Sequence, residues 1–573
     1  MNSSPKPIPV FSNAFEKSVE IERKYGINAA VSRILAVRGF DAGDDLLDFL
    51  QPKLKNIPLP DTLPDIDRAI TRIIREIEIK KNTIGIFGDY DVDGIGSASM
   101  WQKFLSSIKI NTFPLISRRG RGYGLTSADI DDYIAMQVKL LIAVDVGSTD
   151  YEAVRHARDN GIDIVIIDHH HITEPWPDAY AIVNPLRHDS LFKYTAMASV
   201  GLTFYMIAAL RSRLASDGYF PENELPDVKN YLDIVALGTL ADVAPLRGIN
   251  RNLVHYGLNL IRKKVNPSIK ALCDVVGIQH VDQINEKSIV FKIVPKLNAP
   301  GRMGDARISF ELLTSMNYTK AQGISHQLTE INHKRQKIQE KMLQEAMEQA
   351  AASLEYRWPI IVSGEDWHPG VVGIVAAKLA EQFKRPAAAV ALLDENTGRG
   401  SVRSYGGANI YEVLDKLKHL LISFGGHEGA AGIEIERSKI GRFAADMDSI
   451  LKPLSDVDQL EVNVDIEATF VEITEEFLNQ LEMLAPFGNA NPEVVVYTKK
   501  LEVVSVRYPK AQHLSVLLRD PVTRTVLRAI GFNMASLMTE LSQFVNIIYV
   551  PEKDQFRGGR VPQLRLLHIW SDN

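Results

Sequence analysis

Three aspartates on alternate positions, Asp89, Asp91 and Asp93, close an apolar run that begins at Ile84, and Gly94 follows at once. Like charges this close repel one another unless a cation sits among them. D-x-D-x-D-G also opens an EF-hand calcium loop. That loop needs a bidentate glutamate at its twelfth position, which here is Met100. The residues before Asp89 alternate as a strand does (Ile84, Ile86, Phe87), whereas an EF-hand is entered by a helix. The carboxylates must therefore find further ligands elsewhere in the chain.

Three more apolar runs end in the same way. "LLIAVDVGST" stops on Asp145, "IVIIDHHHIT" on Asp168, His169, His170 and His171, and "YLDIVALGTLADVAPL" carries Asp242. One carboxylate at a strand end is ordinarily a turn former or a helix cap. Four such clusters, built from carboxylate and imidazole without cysteine, are harder to dismiss. Oxygen ligands with one or two histidines suit Mn²⁺ or Mg²⁺ better than a structural zinc site. Six or seven ligands exceed what one octahedral ion takes. Two ions that share a bridging carboxylate use them naturally, and such pairs drive in-line attack at phosphorus.

The elements that must position these groups follow from hydrophobic periodicity. From 83 to about 245, short apolar runs alternate with helical patterns such as "SADIDDYIAM" and "YEAVRHARDN", the second closed by Gly161. That alternation predicts a parallel sheet with helices on both faces, and ligands of such sheets gather at the carboxyl ends of the strands. A second, smaller α/β unit follows from about 358. After about 458 come short strands separated by turn residues, which predict a small β-barrel. The expected organisation is a helical segment over 1–80, a parallel-sheet catalytic domain over 81–308, a solvated linking helix over 309–357, the smaller α/β domain over 358–455 and the barrel over 456–573.

Bulk properties agree with this layout. A length of 573 residues suggests about four domains. The single cysteine, Cys273, excludes an internal disulfide and reads as a small core residue. No run reaches a membrane span and no secretory signal opens the chain, so a cytoplasmic protein without membrane contact is expected. The net charge of −6 excludes an overall basic footprint but leaves room for a local basic channel.

D-Y-D-V-D-G, D-x-G, D-H-H and A-D-V, in that order, resemble the DHH phosphoesterases. "FGGHEGAAG" (Phe424 to Gly432) resembles the glycine-rich motif of their companion DHHA1 domain. "VPKLNAPGRMGDA", "WHPGVVGIVAAKLAEQF", "GRGSVRS" and "LEMLAPFGNANPE" narrow the resemblance to the RecJ family of single-strand-specific 5′→3′ exonucleases, over about 30 to 570. The resemblance implies Asp89, Asp91, Asp93, Asp145, His169 and Asp242 as ligands of two Mn²⁺ or Mg²⁺ ions, with Asp145 bridging. His170 would touch the scissile phosphate, Asp168 would orient His169, and His171 would be incidental. Arg118, Arg302, Ser401, Arg403 and the loop Gly425-Gly426-His427 would hold the phosphate and the strand.

Arg121 stands where the family usually has an acid. Arg118, Arg119 and Arg121 together are therefore expected to contact the nucleic-acid backbone. Val146 stands where cysteine or asparagine is common, without consequence for metal. The barrel would be an OB-fold gripping single strands through Arg507, Tyr508, Lys510, His513, Arg519 and Arg528. The implied activity is metal-dependent 5′→3′ hydrolysis of single-stranded DNA to mononucleotides in repair and recombination, by a monomer working beside a helicase and a single-strand-binding protein. Two rival readings fit the sequence less well. An oligonucleotide or cyclic-dinucleotide phosphodiesterase would need no barrel of about a hundred residues, and an inactive scaffold would have no reason to keep the acidic cluster intact.

Overall fold

The computed structural model describes residues 7–9, 14–79, 82–118, 121–122, 124–353, 358–452, 462–535, 542–554 and 561–572. They form two compact units. One comprises 1–59, 243–259 and 459–573, and the other 60–242 and 260–458.

The larger unit is built on five parallel strands. In sheet order these are Thr112–Ile116, Ile84–Gly88, Leu140–Val144, Asp163–Ile167 and Ala181–Val183. Numbered along the chain, that order is 2-1-3-4-5, a doubly wound arrangement whose switch point lies between Ile84–Gly88 and Leu140–Val144. Both of these strands are buried along their whole length, as a sheet covered on both faces requires. Asp89 and Asp145 are the first residues past them. Thr112–Ile116 carries Pro114 and is a half-buried edge strand, one of the few positions in a sheet where proline is tolerated.

Gly94 explains the glycine of the opening motif. A Cβ there would lie 2.5 Å from the backbone nitrogen of Asp89 and 2.7 Å from its Cα. The helix Val92–Ser107 thus folds back directly onto the end of its own strand.

The expected solvated linking helix is corrected. The stretch comprises two helices, Arg307–Thr314 and Tyr318–Ser353, and the longer one buries a stripe. Ala321, Ser325, Leu328, Asn332, Arg335, Gln339, Met342, Ala346 and Ala350 recur at three- and four-residue spacing and are all buried. Met342, Ala346 and Ala350 share a core with Ile360, Val362 and the helix Val372–Phe383. Small residues and amides make up much of the stripe, so it reads as polar in sequence.

The second sheet of this unit has the order Leu421–His427, Ala430–Glu436, Thr397–Arg403, Ala387–Leu392, Ile360–Gly364. Only its last pair is parallel. "GRGSVRS" thus lies along a strand, and Gly425-Gly426-His427, expected as a loop, is part of an antiparallel hairpin.

In the smaller unit, strands Val496–Arg507, Leu514–Arg519, Val526–Gly531, Pro562–Ser571 and Phe544–Lys553 close a five-stranded barrel, the last pairing back to the first. The helices Ala14–Tyr25, Ala29–Val37 and Asp44–Leu50 share its core. The helix Ile66–Ile79 belongs instead to the parallel-sheet unit. Cys273 is buried and its thiol is pushed up to about 12 by that burial, which removes it as a nucleophile. Among the described residues no helix is long and apolar enough to cross a membrane.

Candidate metal centre

Each acidic segment is held by an element that explains its place. Asp91 caps the helix Val92–Ser107, its Oδ1 accepting from the backbone N–H of Asp93 (2.9 Å) and of Gly94 (3.1 Å). Asp93, 1% exposed, accepts from Ser199 N–H and Val200 N–H at 2.7 Å each. Those amides open the helix Ser199–Ser216, so the positive end of one helix faces a carboxylate carried by another. Asp145 takes a left-handed backbone (φ 63°) directly after its strand and accepts from the Ser199 hydroxyl at 3.0 Å. Asp242 follows the last turn of the helix Leu232–Ala241, whose carbonyl end is itself negative. An anion at that end gains from a cation nearby.

His169 sits among these carboxylates. Its Nε2 lies 3.3 Å from Asp145 and 3.8 Å from Asp93, and its Nδ1 lies 3.9 Å from Asp242. Three sets of candidate ligand atoms each lie within 4.8 Å of one another: Asp89, Asp91 and Asp145; Asp93, His169 and Asp242; Asp145, His169 and His170. Asp145 and His169 recur between sets, as two adjoining ion positions would require. The donor set of carboxylates and imidazoles without sulfur fits Mn²⁺ or Mg²⁺.

The electrostatics carry the same message. Burial, then the charge of Asp242, pushes Asp93 up to about 7. Burial, then Asp93, holds Asp145 well above the ordinary carboxylate range. Burial likewise raises Asp242. Burial opposes charge on His169, but the surrounding aspartates outweigh it and raise the imidazole. A cluster that holds protons this tightly exchanges them for a divalent cation.

Asp168 does not orient the His169 ring as expected. Its Oδ1 accepts from the backbone N–H of His169 (2.8 Å) and from His170 Nδ1–H (2.7 Å), so it holds the second imidazole. Burial opposes charge on His170, yet this bond and the Asp168 charge raise it to about 10. Asp168 is correspondingly held below the ordinary range. His170 is therefore a fixed imidazolium at the rim, suited to an anion. Asp168→Asn, which removes the partner that fixes and charges His170, is expected to lower the rate of strand hydrolysis about 10- to 100-fold. A hydrolysis assay in saturating Mn²⁺ checks this, and a parental rate contradicts it.

Sequence reasoning missed Ser199, whose hydroxyl and amide serve Asp145 and Asp93. It also missed Asn184, which donates to the His170 carbonyl (2.9 Å) and the Ser148 hydroxyl (3.0 Å), and Asn298, which accepts from Val92 N–H at 3.1 Å. The small residues of "MASVG" ahead of a helical run were the available signal for Ser199.

The second sheet gathers five of the remaining candidates, Ser401, Arg403, Gly425, Gly426 and His427. Register pairs Ser401 with Gly432 and Gly432 with Gly425, and pairs Arg403 with Ala430 and Ala430 with His427. Arg403 Nη1 donates to Ser401 Oγ (2.5 Å), and its Nη2 lies 3.0 Å from where a Cβ on Gly373 would stand, over the first turn of the helix Val372–Phe383. Gly426 has φ +148°, and a Cβ there would stand 2.3 Å from the Ala430 carbonyl, so the hairpin requires glycine. His427 is close enough to lower Asp242 slightly against the effect of burial. Arg302 ends the helix Val294–Met303, its carbonyl 2.0 Å from where a Cβ on Gly370 would stand. Arg118 lies near enough to Asp305 to add to the hydrogen bond from Arg307 that holds that carboxyl low.

The expected arginine cluster is corrected in part. Arg121 Nη1 bonds Asp129 (2.9 Å) and Asp132 (2.7 Å) on the following helix and is occupied locally, whereas Arg119 lies outside the described residues. In the barrel, Arg519 is paired with Glu502 at 3.0 Å. Tyr508 is half exposed, and His513 packs edge-on against exposed Phe532, which the sequence reading did not single out.

Comparison with known proteins follows the same layout. Residues 83–239 match the DHH family N-terminal domain, 357–453 the DHHA1 domain and 464–568 the RecJ OB domain. The single-stranded-DNA-specific exonuclease RecJ of Dickeya dadantii is 31% identical over 571 residues, covering 96% of this chain and 98% of that protein. The Escherichia coli protein of the same name is 30% identical over 556 residues, covering 94% and 95%. The crystal structure of RecJ from Thermus thermophilus in complex with Mn²⁺ superposes with a TM-score of 0.82 at 25% identity, covering all of this chain and 79% of that one. The same protein has been solved with Mg²⁺.

Proposed function

The chain belongs to the RecJ family of metal-dependent single-stranded-DNA exonucleases, and on that footing we propose that it degrades the strand from its 5′ end to mononucleotides. The observation that carries the residue assignment is the meeting of Asp89, Asp91, Asp93, Asp145, His169 and Asp242 at the switch point of the parallel sheet. These residues would hold two divalent ions, Mn²⁺ or Mg²⁺. When bound, such ions activate water and neutralise charge at phosphorus.

The protein's own groups do the rest. Asp168 keeps His170 charged and fixed, so that the imidazolium meets the scissile phosphate without reorganising. Arg403, braced by Ser401, and His427, on the neighbouring hairpin, take the anionic 5′ end, and Arg302 and Arg118 extend the same surface. The role is in DNA repair and recombination in the cytoplasm, by a monomer acting with a helicase and a single-strand-binding protein.

The deciding experiment incubates the protein with Mn²⁺ and single strands labelled at either end, beside a duplex and a dinucleotide. Mononucleotides are expected first from the 5′ end of the single strand. Release from the 3′ end, or equal attack on duplex, contradicts the proposal. Cleavage of the dinucleotide alone would favour a small-substrate phosphodiesterase.

Tyr508 and Phe532 offer exposed rings to bases. Replacing both by alanine is expected to weaken binding of a long single strand at least about tenfold, since each base stack contributes about 1–3 kcal/mol. Hydrolysis of a dinucleotide should be unaffected. Fluorescence anisotropy and product assays read the two arms, and parental affinity for the long strand sinks this role for the barrel.

A further inference from the structure

Where the long helix Tyr318–Ser353 passes between its two apolar contacts, at Leu328 and at Met342, its buried stripe turns polar for two turns. Asn332 is 1%, Arg335 8% and Gln339 7% exposed. Arg335 Nη1 donates to the Gln339 amide oxygen (2.6 Å) and Nη2 to that of Asn332 (2.5 Å), so the guanidinium is held rigid by its own helix.

Among the described residues no carboxylate pairs with Arg335, nor with Lys296 or Lys292 of the neighbouring helical segment. Burial disfavours charge on Lys296, and Arg335 and Lys292 lie near enough to add to that effect. A buried guanidinium cannot shed its proton, and amides do not neutralise it. Lys292 itself lies in a π-helical turn, Ile289–Ile293, in which the preceding residue, Phe291, is 74% exposed. Such turns are frequent at functional sites, and an exposed ring beside cations is how single strands are gripped.

We propose that Arg335, with Lys296 and Lys292 leading to it, is an anion site that takes a backbone phosphodiester of the bound single strand. The assignment rests on the single-strand reading above. The charges on Asn332 and Gln339 are nil, so their part is to aim the fork rather than to neutralise it. The incoming phosphate supplies the missing negative charge.

The test is anisotropy of a labelled oligothymidylate of about twenty nucleotides, in EDTA, across a salt series. Arg335→Met, which keeps length and removes charge, is expected to weaken binding about tenfold or more, the scale of one charge-assisted hydrogen bond. The slope of log affinity against log salt should fall by about 0.7 for the one phosphate lost. Arg335→Lys should restore the slope. Parental affinity and slope in Arg335→Met overturn the proposal while leaving the exonuclease reading intact, whereas no binding by the parent overturns both. In a parallel arm, inorganic phosphate that stabilises the parent but not Arg335→Met, with equal strand affinity, would make this a free-phosphate site and overturn the strand assignment. Should Arg335→Met fail to fold, Lys296→Met carries the same expected loss of slope, and an unchanged slope there overturns the proposal.

Discussion

Asp145→Asn is expected to lower strand hydrolysis at least about 10³-fold while leaving the metal-free protein as stable as the parent or more so. The rate loss follows from the position of Asp145, which shares ligand sets with Asp89 and Asp91 on one side and His169 on the other. Removing its charge removes the group best placed to bridge two ions, and electrostatic stabilisation at the reacting phosphorus goes with it.

The gain in stability has the opposite origin. Without metal, buried Asp145 is held well above the ordinary carboxylate range, and Asp93 stands at about 7. For acids raised in this way, the stability they contribute is present below the ordinary carboxylate range and lost as pH climbs through the folded value. The metal-free parent should therefore lose stability as pH rises through about 7, because the charges are then forced together. An amide at 145 removes one of them, so the variant should depend less on pH. Thermal unfolding in EDTA and in Mn²⁺, beside a hydrolysis assay, reads both effects. Mn²⁺ should raise the parent's midpoint far more than the variant's. Activity within tenfold of the parent, or an equal Mn²⁺ shift in both, contradicts the bridging role.

Gly94→Ala should be strongly damaging for the parallel-sheet domain. Its Cβ would stand 2.5 Å from the Asp89 nitrogen and 2.7 Å from the Asp89 Cα and carbonyl oxygen. All three are backbone atoms, which cannot swing aside as a flexible side-chain end can. Either the strand end or the helix Val92–Ser107 must move. We expect a loss of about 3 kcal/mol or more, at the upper end of overpacking effects. Because that helix carries Asp91 and Asp93, the stabilisation by Mn²⁺ should fall as well. Urea unfolding with and without Mn²⁺ tests this, and parental stability in both conditions would sink the close-approach account.

The convergence of the aspartates and His169 was legible because these residues interrupt strong apolar runs, and a parallel sheet delivers strand ends to one rim. The sheet's edge was less legible. Pro114 and half-exposed neighbours blur Thr112–Ile116, so the switch point next to Asp145 emerged only from the strand order. The contacts that hold the ligands were invisible for a different reason. Ser199 and Asn184 act through single hydroxyl, amide and backbone groups, and only the small residues of "MASVG" hint at the first. Chemistry also misled where partners lie close in sequence: Arg121 looked available for a phosphate, yet Asp129 and Asp132 one helix away take its charge. The long helix looked solvated because its buried face is built of alanines and amides rather than of large aliphatic residues.

The most direct test of the account is where manganese sits. Anomalous scattering from crystals grown with Mn²⁺ should give two peaks about 3.5–4 Å apart, both within reach of Asp91, Asp93, Asp145, His169 and Asp242, with Asp145 between them. One peak only, or peaks away from these side chains, would contradict a two-ion centre at the switch point.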